Sequence, residues 1–123
     1  MFTREDFHKL IVEKRIELIR SVLITKNLEY CGDKSPFHNF KSSTGLSFHD
    51  SAEKVCWEFA VKHLQSIKDI LNDVELGNMP SEALITEKFG DAINYLILME
   101  GMLKEKLPAS DNITHRINYN LVK

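Results

Sequence analysis

Apolar side chains recur every three or four residues along three long stretches, each with its own start and stop signals, and this confines the chain to packed helices. The first stretch carries Phe7, Leu10, Ile11, Leu18, Ile19, Val22 and Leu23. Thr3 and Asp6, three positions apart, cap its start, so a helix is predicted from about Arg4 to Leu28. The second carries Ala52, Val55, Cys56, Phe59, Ala60, Leu64, Ile67, Ile70, Leu71 and Val74. Ser47 with Asp50, or Asp50 with Glu53, can open it, and Gly77 and Pro80 end it. Ser81 opens the third, whose Leu84, Ile85, Phe89, Ala92, Ile93, Leu96, Met99 and Leu103 run to about Lys106 before Pro108.

Between the first two helices, Glu29 to Ser47 is rich in glycine, proline, serine and aspartate, yet it holds Tyr30, Phe37 and Phe40. That mixture predicts a structured loop rather than a solvated tether. Beyond Pro108, Ile113, His115, Ile117, Tyr119 and Leu121 alternate with polar side chains, the period of a short half-exposed strand over about residues 112–123. The expected fold is all-α: a bundle of three long helices, a structured loop after the first, and a short C-terminal strand, forming one domain over 1–123. Ile97, Leu98 and Met102 add a second apolar face to the third helix, and an intertwined homodimer, or a higher homo-oligomer, would bury it.

Sixteen basic residues against eighteen acidic ones leave a formal charge of −2, without the excess needed to neutralise the phosphates of duplex nucleic acid. The charged start Met1-Phe2-Thr3-Arg4-Glu5-Asp6 lacks the apolar core of a signal peptide, and no apolar run approaches the ~20 residues that span a bilayer. A cytoplasmic protein without a membrane partner is expected, with Cys31 and Cys56 as reduced thiols.

Polar groups interrupt the helical pattern in two places. Glu87, Asp91 and Asn94 fall on one line of the third helix that continues to Leu98. Glu58, Lys62, Gln65 and Asp69 form a line on the second, with His63 one step toward the core. Antiparallel packing would set the two lines around a polar pocket; separately they are solvated faces with weak ion pairs. The loop adds Lys26, Lys34, His38, Asn39 and Lys41 as donors beside Phe37 and Phe40. Cations next to aromatic rings suit a nucleotide, with phosphate on one side and base on the other. Phe37 and Phe40 can equally plug the end of the core, and His63 can be a histidine at the core edge.

Lys26 to Tyr30, Gly32-Asp33, Phe37-His38-Asn39-Phe40, Lys62-His63 and Glu87-Lys88-Phe89-Gly90-Asp91-Ala92-Ile93-Asn94-Tyr95, taken in this order, resemble the phage-type branch of the MazG-like all-alpha nucleotide pyrophosphatases. A related phage family, named for its association with nucleotide modification, is similar in the order of its elements. The resemblance covers about residues 26 to 99. It implies a helical dimer that recognises a nucleotide, often with magnesium held by carboxylates on two neighbouring helices.

The catalytic pattern of that family pairs Glu-x-x-Glu on one helix with Glu-x-x-Asp on the next. Here Glu53 and Glu58 are five apart, Lys62 occupies the face, and Lys88 stands where the glutamate of Glu-x-x-Asp belongs. The leading expectation is therefore a nucleotide-binding protein that captures a nucleotide or nucleotide-derived signal without hydrolysing it. In its concrete phage version it sequesters a host immune signal in the bacterial cytoplasm, an anti-defence role that rests on the resemblance. Lys62, Asn94, Arg116 and His38 would hold phosphate and ribose, with Lys26, Asn39 and His63 nearby. Phe37 or Phe40 would stack on the base, and Asp91 would accept a hydrogen bond from base or sugar. The alternatives are a magnesium-dependent pyrophosphatase using Glu58, Glu87 and Asp91 as metal ligands, and a small protein-protein inhibitor module whose exposed helix and C-terminal strand add to a partner.

Overall fold

The computed structural model describes residues 1–108, which are all-α, with three long helices, one short one and no strand among them. The predicted strand over 112–123, and Arg116 with it, lie outside the described residues.

Helix α1 spans residues 4–31. Thr3 and Asp6 form the expected capping box: Thr3 Oγ1 accepts from the Asp6 amide, and Asp6 Oδ2 accepts from the Thr3 amide, both at 3.0 Å. The rod is not uniform, because Phe7–Glu13 and Ser21–Lys26 are wound as wider π-type turns. It ends where Gly32 takes a φ of 57°, a region glycine enters without a Cβ clash, and the Gly32 amide closes onto the Leu28 carbonyl at 2.9 Å.

The segment expected to be wholly loop contains a short helix, α2, His38–Ser43. No side chain caps its start, which explains why the sequence does not announce it. Helix α3 covers Ala52–Glu75, and its cap is Ser51, whose hydroxyl accepts from the Lys54 amide at 3.3 Å, in place of Ser47 or Asp50. Gly77, at a φ of 89°, lets the chain turn, and Ser81 caps helix α4, Glu82–Glu105, by accepting from the Leu84 amide at 3.1 Å. Among the described residues no helix is long and apolar enough to cross a membrane.

The hairpin of α3 and α4 makes the main helix interface. Small side chains let the two approach: Ala52, Ala60, Gly90 and Ala92 are all buried. Cys56 and Met102 complete the core, and the Cys56 thiol donates to the Tyr95 carbonyl at 3.3 Å. Met102, expected on a second apolar face, thus belongs to the core, while Leu96, expected inside, is 44% exposed. The reason is rotation: the line Asp91, Asn94, Leu98 and Met102 turns inward, carrying its polar members with it.

Helix α1 is held beside α4 by Arg15, whose Nη2 donates to the Thr86 carbonyl at 3.1 Å. Gly90 makes room for it, since a Cβ there would lie 2.7 Å from Arg15 Nη1. The first half of the α1 stripe is left largely uncovered by the described residues: Phe7 and Leu10 are 54% and 52% exposed. Ile19, Val22 and Leu23, farther along the stripe, are half-buried.

Candidate functional site

A cavity of about 420 Å³ opens where the C-terminal third of α1, the α2 segment and the α3–α4 hairpin meet. The wider turn of α1 brings Val22, Leu23, Lys26 and Asn27 to one wall. Asn39, Phe40 and Ser43 of α2 form the rim, and Phe59 of α3 faces Asp91, Asn94, Tyr95 and Leu98 of α4. Helical geometry explains the α4 wall, because positions 91, 94, 95 and 98 repeat at three, four and seven residues and share one face.

The aromatic groups interlock. Tyr95 lies nearly parallel to Phe59 at 5.9 Å and to the His63 imidazole at 5.1 Å, while Phe40 meets both Phe59 and Tyr95 edge-on. His63 Nδ1 is 3.6 Å from Asp91 Oδ2. Burial pushes the Tyr95 hydroxyl above its ordinary range, with the Asp91 carboxylate and Cys56 adding to the effect, so the phenol stays protonated at neutral pH. Burial likewise pushes the Cys56 thiol up to about 11.

Among the described residues, one buried side-chain atom is left without a partner. The side-chain oxygen of Asn94 is buried and receives no hydrogen bond. An unsatisfied buried acceptor of this kind costs ~1–3 kcal/mol.

Of the residues singled out in the sequence, Lys26, Asn39, Phe40, Asp91 and Asn94 line this cavity. His63 braces its wall through Asp91 and Tyr95, and Lys62 reaches it indirectly, with Nζ 5.4 Å from the centre of the Phe59 ring. Phe37 sits elsewhere, packed on the core beside Gly101, so it plugs the core end. The half-buried His38 is not in the lining, and its backbone amide bonds the Ser35 carbonyl at 3.0 Å. Phe59, Tyr95, Asn27 and Ser43 were not among the expected site residues. The spacing of Tyr95 from Asp91 and of Phe59 from His63, four residues each, is the signal that points to the first two.

Glu58, Glu87 and Asp91 do not come together as a metal site. Glu58 Oε2 lies 3.4 Å from His49, Glu87 is exposed, and Asp91 faces the cavity. No group of three or more His, Cys, Asp or Glu placed to hold a metal occurs among the described residues. The α2 segment is tied down by ion pairs at its edge: Lys41 to Glu105 at 2.6 Å, with Lys106 to Glu53 at 3.0 Å linking the ends of α3 and α4. The Lys106 hydrogen bond holds the Glu53 carboxyl below its ordinary value. Comparison with family models, with curated proteins and with solved structures finds no match to this chain.

Proposed function

We propose that the cavity captures a nucleotide or nucleotide-derived signal and holds it without hydrolysis. The observation that carries this reading is a cavity of about 420 Å³ that sets Phe40, Phe59 and Tyr95 beside one cation, Lys26, and the polar pair Asp91 and Asn94. The volume falls within the ~300–1,000 Å³ of small-molecule sites. Lys26 provides a cation for a phosphate, Asp91 a second acceptor, and Phe40, Phe59 and Tyr95 apolar walls for a flat base. Capture rather than turnover is favoured by the donor set, since Glu58 and Asp91 are each engaged by a histidine and no Glu-x-x-Glu accompanies them. The likeness of residues 26–99 to phage-type MazG-like enzymes supports a nucleotide ligand, and makes a host immune signal its concrete form.

The working unit in this reading is a homodimer. The apolar face of α1 around Phe7, Leu10 and Ile11 is about half exposed among the described residues, and a second copy of the same helix is self-complementary to it.

A thermal-shift and calorimetry screen against nucleoside triphosphates, cyclic di- and trinucleotides and ADP-ribose derivatives tests the reading. Saturable binding that EDTA leaves unchanged and Asp91→Ala weakens is expected. Magnesium-dependent conversion would establish the pyrophosphatase instead, and a protein that binds none of them would leave the inhibitor module.

A further inference from the structure

Helix α1 carries a row of opposite charges along a face it leaves exposed, and we infer that this face seats the homodimer: α1 of a second copy lies antiparallel on it, in the register that sets Lys9 opposite Glu17. This rests on the homodimer proposed above and assigns its surface, orientation and register.

Lys9, Leu10, Glu13, Ile16, Glu17 and Arg20 share one face of α1, and all six are exposed. Arg15, which holds α1 to α4, is not part of it. Leu10 and Ile16, at 52% and 41% exposed, give the face an open apolar pair, and Leu10 joins it to the apolar face around Phe7 and Ile11. The ion pairs of this stretch are His8 with Glu13 at 3.2 Å and Lys9 with Glu5 at 2.8 Å, so Glu17 and Arg20 have none among the described residues. The Lys9 ammonium keeps further N–H donors for a second carboxylate.

The order of the charges selects the orientation. Parallel pairing about a two-fold axis sets each residue beside its own copy, Lys9 against Lys9 and Glu17 against Glu17, and like charges repel. Antiparallel pairing avoids this. Lys9 and Glu17 lie four residues either side of Glu13, and Leu10 and Ile16 lie three either side. With the axis at Glu13, Lys9 meets Glu17 and Leu10 meets Ile16, each twice by symmetry. Asp6 and Arg20, seven either side, come opposite by the same count. The contact that opposes this register is Glu13 with its own copy on the axis, where each carboxylate is also held by its own His8. Charge order of this kind fixes partner and register more than it adds raw affinity.

Sedimentation equilibrium of the full chain without added ligand tests this, with Lys9→Glu, Glu17→Lys and the double variant beside the wild type. Each single change is expected to weaken the dimer at least about tenfold, because it brings like charges together, and the double variant to restore it to within about threefold. Glu13→Gln, which removes the like-charge contact on the axis, should tighten the dimer. Lysine, glutamate and glutamine are all good helix formers and the three positions are exposed, so circular dichroism should be unchanged. A dimer indifferent to both single changes, or a double variant as weak as the singles, would overturn this register and leave the homodimer standing. A monomeric wild type at micromolar concentration would overturn the homodimer itself.

Discussion

His63 Nδ1 lies 3.6 Å from Asp91 Oδ2 while the same imidazole stacks on Tyr95 at 5.1 Å, so one side chain of α3 grips two residues of α4 at the cavity wall. The two contacts differ in weight. The side chains of His63 and Asp91 are 23% and 39% exposed, and a solvent-screened pair of this kind contributes below ~1 kcal/mol. Ring stacking adds about 0.5–1.5 kcal/mol beyond area burial. His63→Phe, which keeps a ring, should therefore lose less stability than His63→Ala, by about 1 kcal/mol in urea unfolding. Equal losses would mean the stacking contributes nothing.

Gly101 supports Phe37. A Cβ at position 101 would sit 2.8 Å from the tip of the Phe37 ring, which is packed on the core around Met102. In an open helix, Gly→Ala stabilises by ~1 kcal/mol. Here Gly101→Ala should destabilise, by about 1–3 kcal/mol, because the ring has to move. In a Phe37→Leu background the same change should become neutral or stabilising, a sign reversal that a double-mutant cycle reads directly.

Alkaline pH should weaken the fold through Cys56. Its thiol is raised from an ordinary 9.0 to about 11, so the unfolded chain gives up this proton first as pH rises. Stability is thus complete below pH 9 and falls toward pH 11, by up to about 3 kcal/mol for a shift of that size. Tyr95 is shifted in the same direction and adds to the slope. Urea midpoints measured across this range should decline more gently in Cys56→Ala than in the wild type.

At acid pH the sign is opposite for Glu53. Its carboxyl is lowered below 4.5 by Lys106, so the pair stabilises above that pH and the contribution disappears as pH falls below it. With the Lys106 side chain 62% exposed, the amount is under ~1 kcal/mol. Glu53→Gln should match the wild type at pH 3 and be slightly less stable at pH 7.

The proposed homodimer would pair the exposed apolar part of α1. Leu10→Glu should halve the sedimentation mass while retaining helical circular dichroism, because Leu10 touches little in its own chain. A wild-type chain that sediments as a monomer at micromolar concentration would contradict the homodimer.

What the sequence reveals depends on whether the signal is local. Thr3 with Asp6, and Ser81 after Pro80, set helix starts through bonds made within a single turn, and both starts are read correctly from the residues. Ser47, Asp50 and Ser51 all offer capping oxygens, and the choice of Ser51 goes with the burial of Ala52, Val55 and Cys56, a tertiary matter. Helix α2 has no cap and is too short for periodicity to register. The inward turn of Asp91 and Asn94 was legible as a polar line bordering apolar residues. The separation of Phe37 into the core and Phe40 into the cavity was not, because it depends on the path of the segment between α1 and α3.

The most direct test of capture is to incubate the purified protein with its best-binding nucleotide and magnesium, remove unbound ligand, release the bound fraction by heat and identify it by chromatography. Near-stoichiometric recovery of the intact nucleotide, reduced by Asp91→Ala, is the predicted result. Recovery of cleaved product, or of no nucleotide at all, would contradict it.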